Sequence, residues 1–282
     1  MGAESTPDLE SAVAEHYTTE ALLSRIRSAL SDMGADPDAP RPEDLKPVDE
    51  FHTGGIAATE ALLTQLAIAP ETRVLDLGAG LGGTARHIAH RYGASVIGID
   101  LTPVFVETAT ALSALVSLGG RTRFLVASAL EVPIPDATMD LVTLFHVGMN
   151  IEDKAALMVE AARVLAPGGR FALFDVMRMA DGALMFPVPW AERAELSRVE
   201  APGAYRAAAA AAGLAPVVER NRIEFALAFF ETVFARIAEH GPPPLGIHLL
   251  MRETAPLKIG NYVEALKLGR LAPVEMIFAK PG

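Results

Sequence analysis

Apolar and polar positions follow one another along the chain in blocks that predict buried strands separated by helices. Helices are predicted over residues 57–66 and 202–212, and others are expected to begin near Thr84 and Glu152. Short apolar runs typical of strands buried in a parallel sheet occupy residues 73–77, 94–99, 123–127, 141–145 and 170–177. This alternation indicates an α/β fold.

The N-terminal part of the chain departs from this alternation. Residues 8–33 carry apolar side chains at helical spacing, which predicts two short amphipathic helices. Residues 34–47 contain prolines at positions 37, 40, 42 and 47, and we expect a connector without regular structure there.

The C-terminal part adds two strands and two helices. Strands six and seven are predicted at residues 216–223 and 274–279, and helices at 225–238 and 253–268 lie between them. The first of these helices contains Phe229, Phe230 and Phe234 and is strongly apolar. We expect it to be buried either under its own cap or, as the favoured alternative, against a second subunit of a homo-oligomer.

A glycine-rich turn follows the first strand. Residues 78–83 contain four glycines and come directly after Asp76 and Leu77. Glycine permits positive φ and lets a ligand lie against the backbone, at the positive end of the following helix. A second acid, Asp100, ends the second strand at the position where a carboxylate meets a ribose diol. The turn is therefore expected to hold a nucleotide.

The spacing of Gly78, Gly80 and Gly83 also fits the G-x-G-x-x-G pattern of dinucleotide-binding proteins, which alone is weak evidence. Asp76 separates the two interpretations, because a dinucleotide strand normally keeps that position apolar, whereas a buried acid needs a partner. A cationic or amine-bearing ligand supplies one. A nicotinamide-dependent oxidoreductase and a non-catalytic homologue that keeps the cofactor fold remain as alternatives.

Four stretches, residues 74–83, 98–102, 133–140 and 163–171, resemble the motifs of class I S-adenosylmethionine-dependent methyltransferases. The resemblance is to the small-molecule group that includes the sarcosine and dimethylglycine N-methyltransferases. It implies a Rossmann-like, seven-stranded, mostly parallel sheet with an antiparallel last strand. It also implies methyl transfer from S-adenosyl-L-methionine to a small-molecule acceptor through an N, O or C nucleophile.

The same resemblance implies a division of the chain and a set of cofactor contacts. Residues 1–55 would form an N-terminal helical cover, and residues 56–282 the catalytic domain with a helical insertion over about 224–270. The family commonly has an aspartate in place of Ser128, whose neutral hydroxyl makes a weaker contact with adenine. The residues expected to bind the cofactor are Tyr17, Asp76, Gly78, Ala79, Gly80, Asp100, Leu101, Ser128, Ala129 and His146.

Two histidines are the candidate catalytic groups, since either can take a proton near neutral pH. His146 follows the fourth strand, and in an open parallel sheet the ligand lies beyond the carboxyl ends of the strands. His52 lies in residues 48–55, where paired glycines suit a segment that closes over a ligand. A structural role for His146 and a plain turn at 48–55 are the alternatives. His52, Asn150 and Trp190 are expected to contact the acceptor.

The amino-acid composition limits the classes of binding partner that we expect. A net charge of −11 lacks the basic surface that nucleic acids and anionic membranes require, so neither is expected as a partner. The chain has no cysteine, which excludes disulfides and thiolate catalysis. No apolar run approaches the roughly 18 residues of a spanning helix, and residues 1–5 show no targeting pattern. We expect a cytoplasmic enzyme without a metal site.

Overall fold

The computed structural model describes residues 19–282, and within them a seven-stranded sheet is flanked by helices. The strand order is β3-β2-β1-β4-β5-β7-β6, with β7 antiparallel to both β5 and β6 and the strands from β3 to β5 parallel. This confirms the predicted mostly parallel sheet with an antiparallel last strand. The strands are β1 (Arg73–Leu77), β2 (Ser95–Asp100), β3 (Thr122–Val126), β4 (Met139–Phe145), β5 (Leu165–Arg178), β6 (Ala215–Asn221) and β7 (Leu271–Ala279).

The helices cover both faces of the sheet because alternate strand residues point to opposite sides. Val74 packs in the core that contains α1 and α3 to α5, whereas Leu75 packs in the core that contains α6 and α7. Among the helices in the described range, none is long and apolar enough to cross a membrane. The helices are α1 (Thr19–Asp32), α2 (Lys46–Asp49), α3 (Gly55–Leu63), α4 (Gly83–Tyr92), α5 (Pro103–Leu115), α6 (Lys154–Val164), α7 (Pro202–Ala211), α8 (Ile223–His240), α9 (His248–Met251) and α10 (Ala255–Lys267).

The proline-rich connector has more regular structure than predicted. Pro42–Leu45 forms a 3-10 helix that leads directly into α2. Both short helices have a proline in their first turn. Backbone N–H groups in the first turn make no hydrogen bond within the helix, so the missing N–H group of proline costs nothing there. The expectation of an irregular connector is therefore wrong for this part. Of the two predicted N-terminal helices, the second is α1, and the first lies outside the described residues.

The helical insertion packs in a third buried cluster, which it shares with Met149, Val176 and Leu271. Phe230 of α8 is buried against Tyr262 of α10, with ring centroids 5.8 Å apart. The second half of α8 is different, since Phe234 is 42% exposed and Ile237 is 38% exposed. The insertion therefore covers the first half of α8 itself, and the expected subunit contact remains a prediction for the second half.

Candidate functional site

A cavity of about 470 Å³ lies at the carboxyl ends of the parallel strands β1 to β4. A second cavity, of about 520 Å³, lies near the amino end of β4 and is lined by none of the predicted site residues. Ligands of open parallel sheets bind beyond the carboxyl ends of the strands, so we take the first cavity as the candidate site. His52 and Asn150 line the first cavity, whereas Tyr17 lies outside the described residues. The predicted cofactor residues that line it are Asp76, Gly78, Ala79, Gly80, Asp100, Leu101, Ser128, Ala129 and His146.

The glycine turn and the second acid are joined by backbone hydrogen bonds. The N–H of Gly80 donates to Oδ2 of Asp100 (2.9 Å), and the N–H of Thr102 donates to Oδ1 (2.9 Å). Gly78 has φ +70°, and a Cβ atom there would lie 2.3 Å from the side chain of Val147. The turn thus needs glycine both for its conformation and for its approach to the segment after β4.

Asp76 is a buried acid at the floor of the cavity. It is 2% exposed, and its Oδ1 accepts a hydrogen bond from Oγ1 of Thr143 (2.7 Å). Burial raises the pKa of Asp76 to about 7, against the lowering effect of the Thr143 hydrogen bond. At neutral pH the carboxyl group is therefore close to its titration midpoint, and a cation in the cavity favours its ionised form.

The segment after α2 closes one side of the cavity. Asp49 forms a buried ion pair with Arg86 of α4, and both side chains are 1% exposed. Its backbone oxygen also approaches Gly83 so closely that a Cβ atom there would lie 2.2 Å away. These contacts hold residues 49–53 against the start of α4, so that Asp49, Phe51 and His52 line the cavity.

His52 is held by a buried carboxylate and a hydroxyl. Its Nε2 lies 2.9 Å from Oε2 of Glu50 and 2.9 Å from Oγ1 of Thr59, which itself donates to Glu50 (2.8 Å). Burial raises the pKa of Glu50, but hydrogen bonds and the charges of His52 and Lys46 outweigh it and bring the pKa to about 2. Sequence reasoning missed Glu50 and Thr59. Glu50 could have been predicted, because it lies only two residues before His52 in the sequence. No sequence pattern indicates that Thr59, on helix α3, contacts His52.

His146 has an unusual backbone and an unsatisfied side chain. Its φ is +53°, uncommon for a residue with a Cβ atom, and its N–H donates to the carbonyl of Phe174 (2.7 Å). Nε2 is buried, and it has no hydrogen-bond partner among the described residues. Burial lowers the pKa of His146 well below its ordinary value, and the neighbouring His52 adds to this. His146 thus lines the cavity as a neutral histidine with a left-handed backbone and a buried nitrogen that has no partner among the described residues.

The two remaining predicted acceptor contacts lie in different places. Asn150 ends the 3-10 turn Gly148–Asn150 and lines the cavity. Trp190 instead packs edge to face on Tyr262, with centroids 5.4 Å apart, and its Nε1–H donates to Oγ of Ser197 (3.0 Å). Trp190 therefore belongs to the core of the insertion and not to the wall of this cavity.

A buried polar cluster supports the turn after β4, and sequence reasoning did not assign it. Asp175 of β5 is fully buried and accepts hydrogen bonds from the hydroxyl of Tyr205 (2.5 Å) and the N–H of Val176 (3.0 Å). Burial raises the pKa of Asp175 to about 6. Lys154 donates to the carbonyl oxygens of Ile151 and Arg198 beside this cluster, and its Nζ lies 5.4 Å from the Tyr205 ring centroid.

Comparisons with known proteins agree with this geometry. The family described as a methyltransferase domain matches residues 75–173. Tocopherol O-methyltransferase from Arabidopsis thaliana is 43% identical over 36% of this chain and 29% of its own length. The match to the first curated relatives spans 28% to 58% of their length, so less than two thirds of those proteins is represented.

Two solved structures extend the likeness to most of the chain. A putative sarcosine dimethylglycine methyltransferase from Galdieria sulphuraria has a TM-score of 0.68 and 25% identity, covering 80% of this chain and 85% of that one. Phosphoethanolamine N-methyltransferase 2 from Haemonchus contortus, in complex with S-adenosyl-L-methionine, has a TM-score of 0.67 and 20% identity. That match covers 83% of this chain and 55% of the other. The domain match therefore shows a methyltransferase domain at residues 75–173, and the two solved structures show that the fold of methyltransferases extends over 80% or more of the chain.

Proposed function

We propose that the protein transfers the methyl group of S-adenosyl-L-methionine to a small-molecule acceptor through an N, O or C nucleophile. The observation that carries the proposal is a single cavity in which the motif residues of four strand ends meet a histidine with an unpaired nitrogen. Methyl transfer is an in-line displacement, so the protein contributes mainly orientation and exclusion of water.

The cavity fits the cofactor in charge and in hydrogen bonding. The methionine end of the cofactor carries sulfonium and ammonium cations, and Asp76 and Asp100 line the cavity. Asp100 keeps free lone pairs for a ribose diol beyond the two backbone amides that it binds. The hydroxyl of Ser128 accepts from the N–H of Leu130 (3.1 Å) and keeps its hydrogen for an adenine nitrogen. When bound, the cofactor supplies an electrophilic methyl group.

Of the two candidate histidines, we assign the contact with the acceptor to His146. Both nitrogens of His52 face protein acceptors, since Nε2 faces Glu50 and Nδ1 lies 3.4 Å from the carbonyl of Thr53. Nε2 of neutral His146 is unpaired, so it can accept a hydrogen bond from an acceptor O–H or N–H and orient the nucleophile. Phe145 and Phe51, which also line the cavity, help to exclude water.

The proposal is tested with a panel of small amines, phenols and carboxylates incubated with methyl-labelled cofactor and scored by mass. We expect at least one acceptor to gain a methyl group, and the gain to disappear in Asp100→Ala. A protein that binds S-adenosylhomocysteine but methylates nothing in a broad panel would contradict the proposal. Hydride transfer from added NADH, without affinity for S-adenosylhomocysteine, would favour the oxidoreductase alternative.

We propose two further properties, a homo-oligomeric state and a cytoplasmic location. The exposed second half of α8 supports a homo-oligomer in which this surface meets a second copy. A cytoplasmic location rests on the cysteine-free sequence alone. Sedimentation and cell fractionation, respectively, test these two properties.

A further inference from the structure

The wall of the cavity at the carboxyl ends of β1 to β4 is poor in cationic side chains. Among the described residues that line it, none is a lysine or an arginine. Residues 1–18, which lie outside the described range, contain neither type, so all 24 lysines and arginines of the chain follow them. An anionic group that leaves water needs a cation or several hydrogen bonds in exchange. The wall therefore offers no lysine or arginine to a phosphate or carboxylate of an acceptor.

Cationic side chains next to residues of the wall already have partners in this chain. Lys46 lies 3.4 Å from Oε1 of Glu50. Arg86 forms a buried ion pair with Asp49, and both side chains are 1% exposed. Lys154 donates to two backbone carbonyl oxygens. These three cations are therefore held by groups of the protein and are not presented to a ligand.

The four acids among the described residues of the wall are engaged as well. Asp49 belongs to the buried ion pair, and Oε2 of Glu152 lies 3.3 Å from Nε of Arg198. In the proposed function, Asp76 meets the cations of the cofactor and Asp100 meets its ribose. An ammonium group on the acceptor would therefore also be without a carboxylate of its own.

The remaining positive features of the wall have partners or carry no charge. Nε2 of His52 lies 2.9 Å from Oε2 of Glu50, which meets any charge on that ring. Burial lowers the pKa of His146 well below its ordinary value, so this ring is neutral. The start of α4, where Thr84 lines the cavity, offers the positive end of a helix to the carboxylate of the cofactor itself.

Apolar side chains make up much of the rest of the wall. Phe51 and Phe145 line the cavity, and the ring centroid of Phe145 lies 5.1 Å from that of His52. Ile151 continues this surface directly after the turn Gly148–Asn150. An apolar molecule gains free energy by leaving water for such a surface, whereas an unpaired charge loses it.

We propose that the acceptor of this cavity is an uncharged, largely apolar molecule, such as a phenol or an aromatic amine, that carries neither an anionic group nor an ammonium group. The charged side chains in and beside the wall are neutralised by one another or by the cofactor, and the apolar surface is left for the acceptor. This inference deepens the methyl transfer proposed above by naming a substrate class, and it rests on that proposal.

The test measures binding of matched phenols to the full chain saturated with S-adenosylhomocysteine, by calorimetry at about pH 7. The probes are para-ethylphenol, para-hydroxyphenylacetate and tyramine, which share one ring and differ in the charge of a short substituent. A second series uses the corresponding anilines. We expect the uncharged member to bind about 10-fold or more tightly than either charged one, since an unpaired buried charge costs at least that much. The methyl ester of para-hydroxyphenylacetate should bind more tightly than the free acid, which separates charge from size.

A cation placed in the wall should change this preference. Asn150 is an exposed residue that lines the cavity, so Asn150→Lys brings an ammonium group to the wall without opening the core. The affinity for para-hydroxyphenylacetate relative to para-ethylphenol should rise about three-fold or more, as for a partly exposed ion pair. Asn150→Gln is the uncharged control at the same position. Val159→Lys, at an exposed position of α6 away from the cavity, should leave the ratio unchanged.

The outcomes separate failure of this inference from failure of the proposed function. If S-adenosylhomocysteine binds but the carboxylate or the amine binds as tightly as the uncharged member in both series, the inference is overturned and methyl transfer stands. The same holds if no uncharged member binds, or if Asn150→Lys and Val159→Lys change the ratio equally. A protein without affinity for S-adenosylhomocysteine would overturn the proposed function and this inference together.

Discussion

At the scale of single residues, the cavity combines acids held by backbone and hydroxyl groups with a histidine that lacks a partner. Asp100 is held by two amides, and Asp76 is held by Thr143. Nε2 of His146 has no such support among the described side chains. In the proposed function the two acids would hold a cation and a ribose, and the histidine would contact the acceptor.

Replacing Asp100 with alanine should weaken binding of S-adenosylhomocysteine. The loss of two charge-assisted hydrogen bonds costs about 1 to 3 kcal/mol, which is about 5- to 150-fold in Kd. Titration calorimetry measures it. Asp140→Ala, which removes an acid near the amino end of β4, is the control and should leave the affinity unchanged. Unchanged binding in Asp100→Ala would remove Asp100 from the site.

The affinity for S-adenosylhomocysteine should fall as the pH falls through about 7. The raised pKa of Asp76 means that its carboxyl group is protonated below that pH and ionised above it, and only the ionised form attracts the ligand's ammonium group. Binding near pH 7 should therefore release a proton, which calorimetry in buffers of different ionisation enthalpy detects. Asp76→Asn should lack both effects. A flat affinity between pH 6 and pH 8, a range of about one unit on each side, would contradict this role.

His146→Ala should lower kcat by about 100-fold or more if Nε2 accepts the proton of the acceptor. If His146 only positions the acceptor, KM should rise instead. In both cases the affinity for S-adenosylhomocysteine should stay nearly constant. His90→Ala, at a half-exposed histidine of α4, is the matched control. Intact kcat and KM in His146→Ala would return the catalytic assignment to His52.

At the scale of elements, the turn after β4 depends on the strand and helix beneath it. Asp175 of β5 and Tyr205 of α7 form a buried hydrogen bond close to Gly148, where a Cβ atom would lie 2.1 Å from Oδ2 of Asp175. This contact brings the turn Gly148–Asn150 down onto the strand, so that its last residue lines the cavity. The position of this turn is therefore set by groups beneath it that do not line the cavity.

Tyr205→Phe should destabilise the protein by about 1 to 3 kcal/mol, because it leaves a buried carboxyl oxygen without its donor. Urea unfolding followed by circular dichroism measures the change. Tyr92→Phe, at the end of α4, removes a hydroxyl from a partly buried tyrosine and should change the stability by less than about 0.5 kcal/mol. Equal stability of Tyr205→Phe and the unmodified protein would mean that water replaces the hydroxyl.

At the scale of the whole molecule, the insertion both braces the cavity and exposes a surface. Oγ1 of Thr53 and the hydroxyl of Tyr262 are 3.0 Å apart, which joins the segment that carries His52 to α10. On its other side the insertion leaves Phe234 and Ile237 exposed. The same helices therefore connect the proposed subunit contact with the segment that closes the cavity.

If the second half of α8 is a subunit interface, the protein should sediment as a dimer or larger at micromolar concentration, and Phe234→Glu should dissociate it. Phe234 is a better probe than Phe230, because the latter packs inside the insertion and its replacement would also damage the fold. Val217→Glu, at an exposed position of β6, is the control. A monomeric unmodified protein would contradict the interface.

The sequence by itself determined the sheet, the glycine turn and the acids at the strand ends. Those features depend on local periodicity and on the conformational freedom of glycine, which act over a few residues. Asp76 and Asp100 could be found because Asp76 is the second-last residue of β1 and Asp100 is the last residue of β2.

Only the tertiary structure decided which polar groups meet. Glu50 and Thr59 surround His52 because α3 packs beside the segment after α2, and Trp190 contacts Tyr262 because the insertion packs on the loop between β5 and α7. Burial and hydrogen-bond partners depend on elements distant in sequence, and they determine the charge state of a side chain. For that reason two histidines with equal standing in the sequence have different roles in the folded protein, one tied to a carboxylate and the other unpaired.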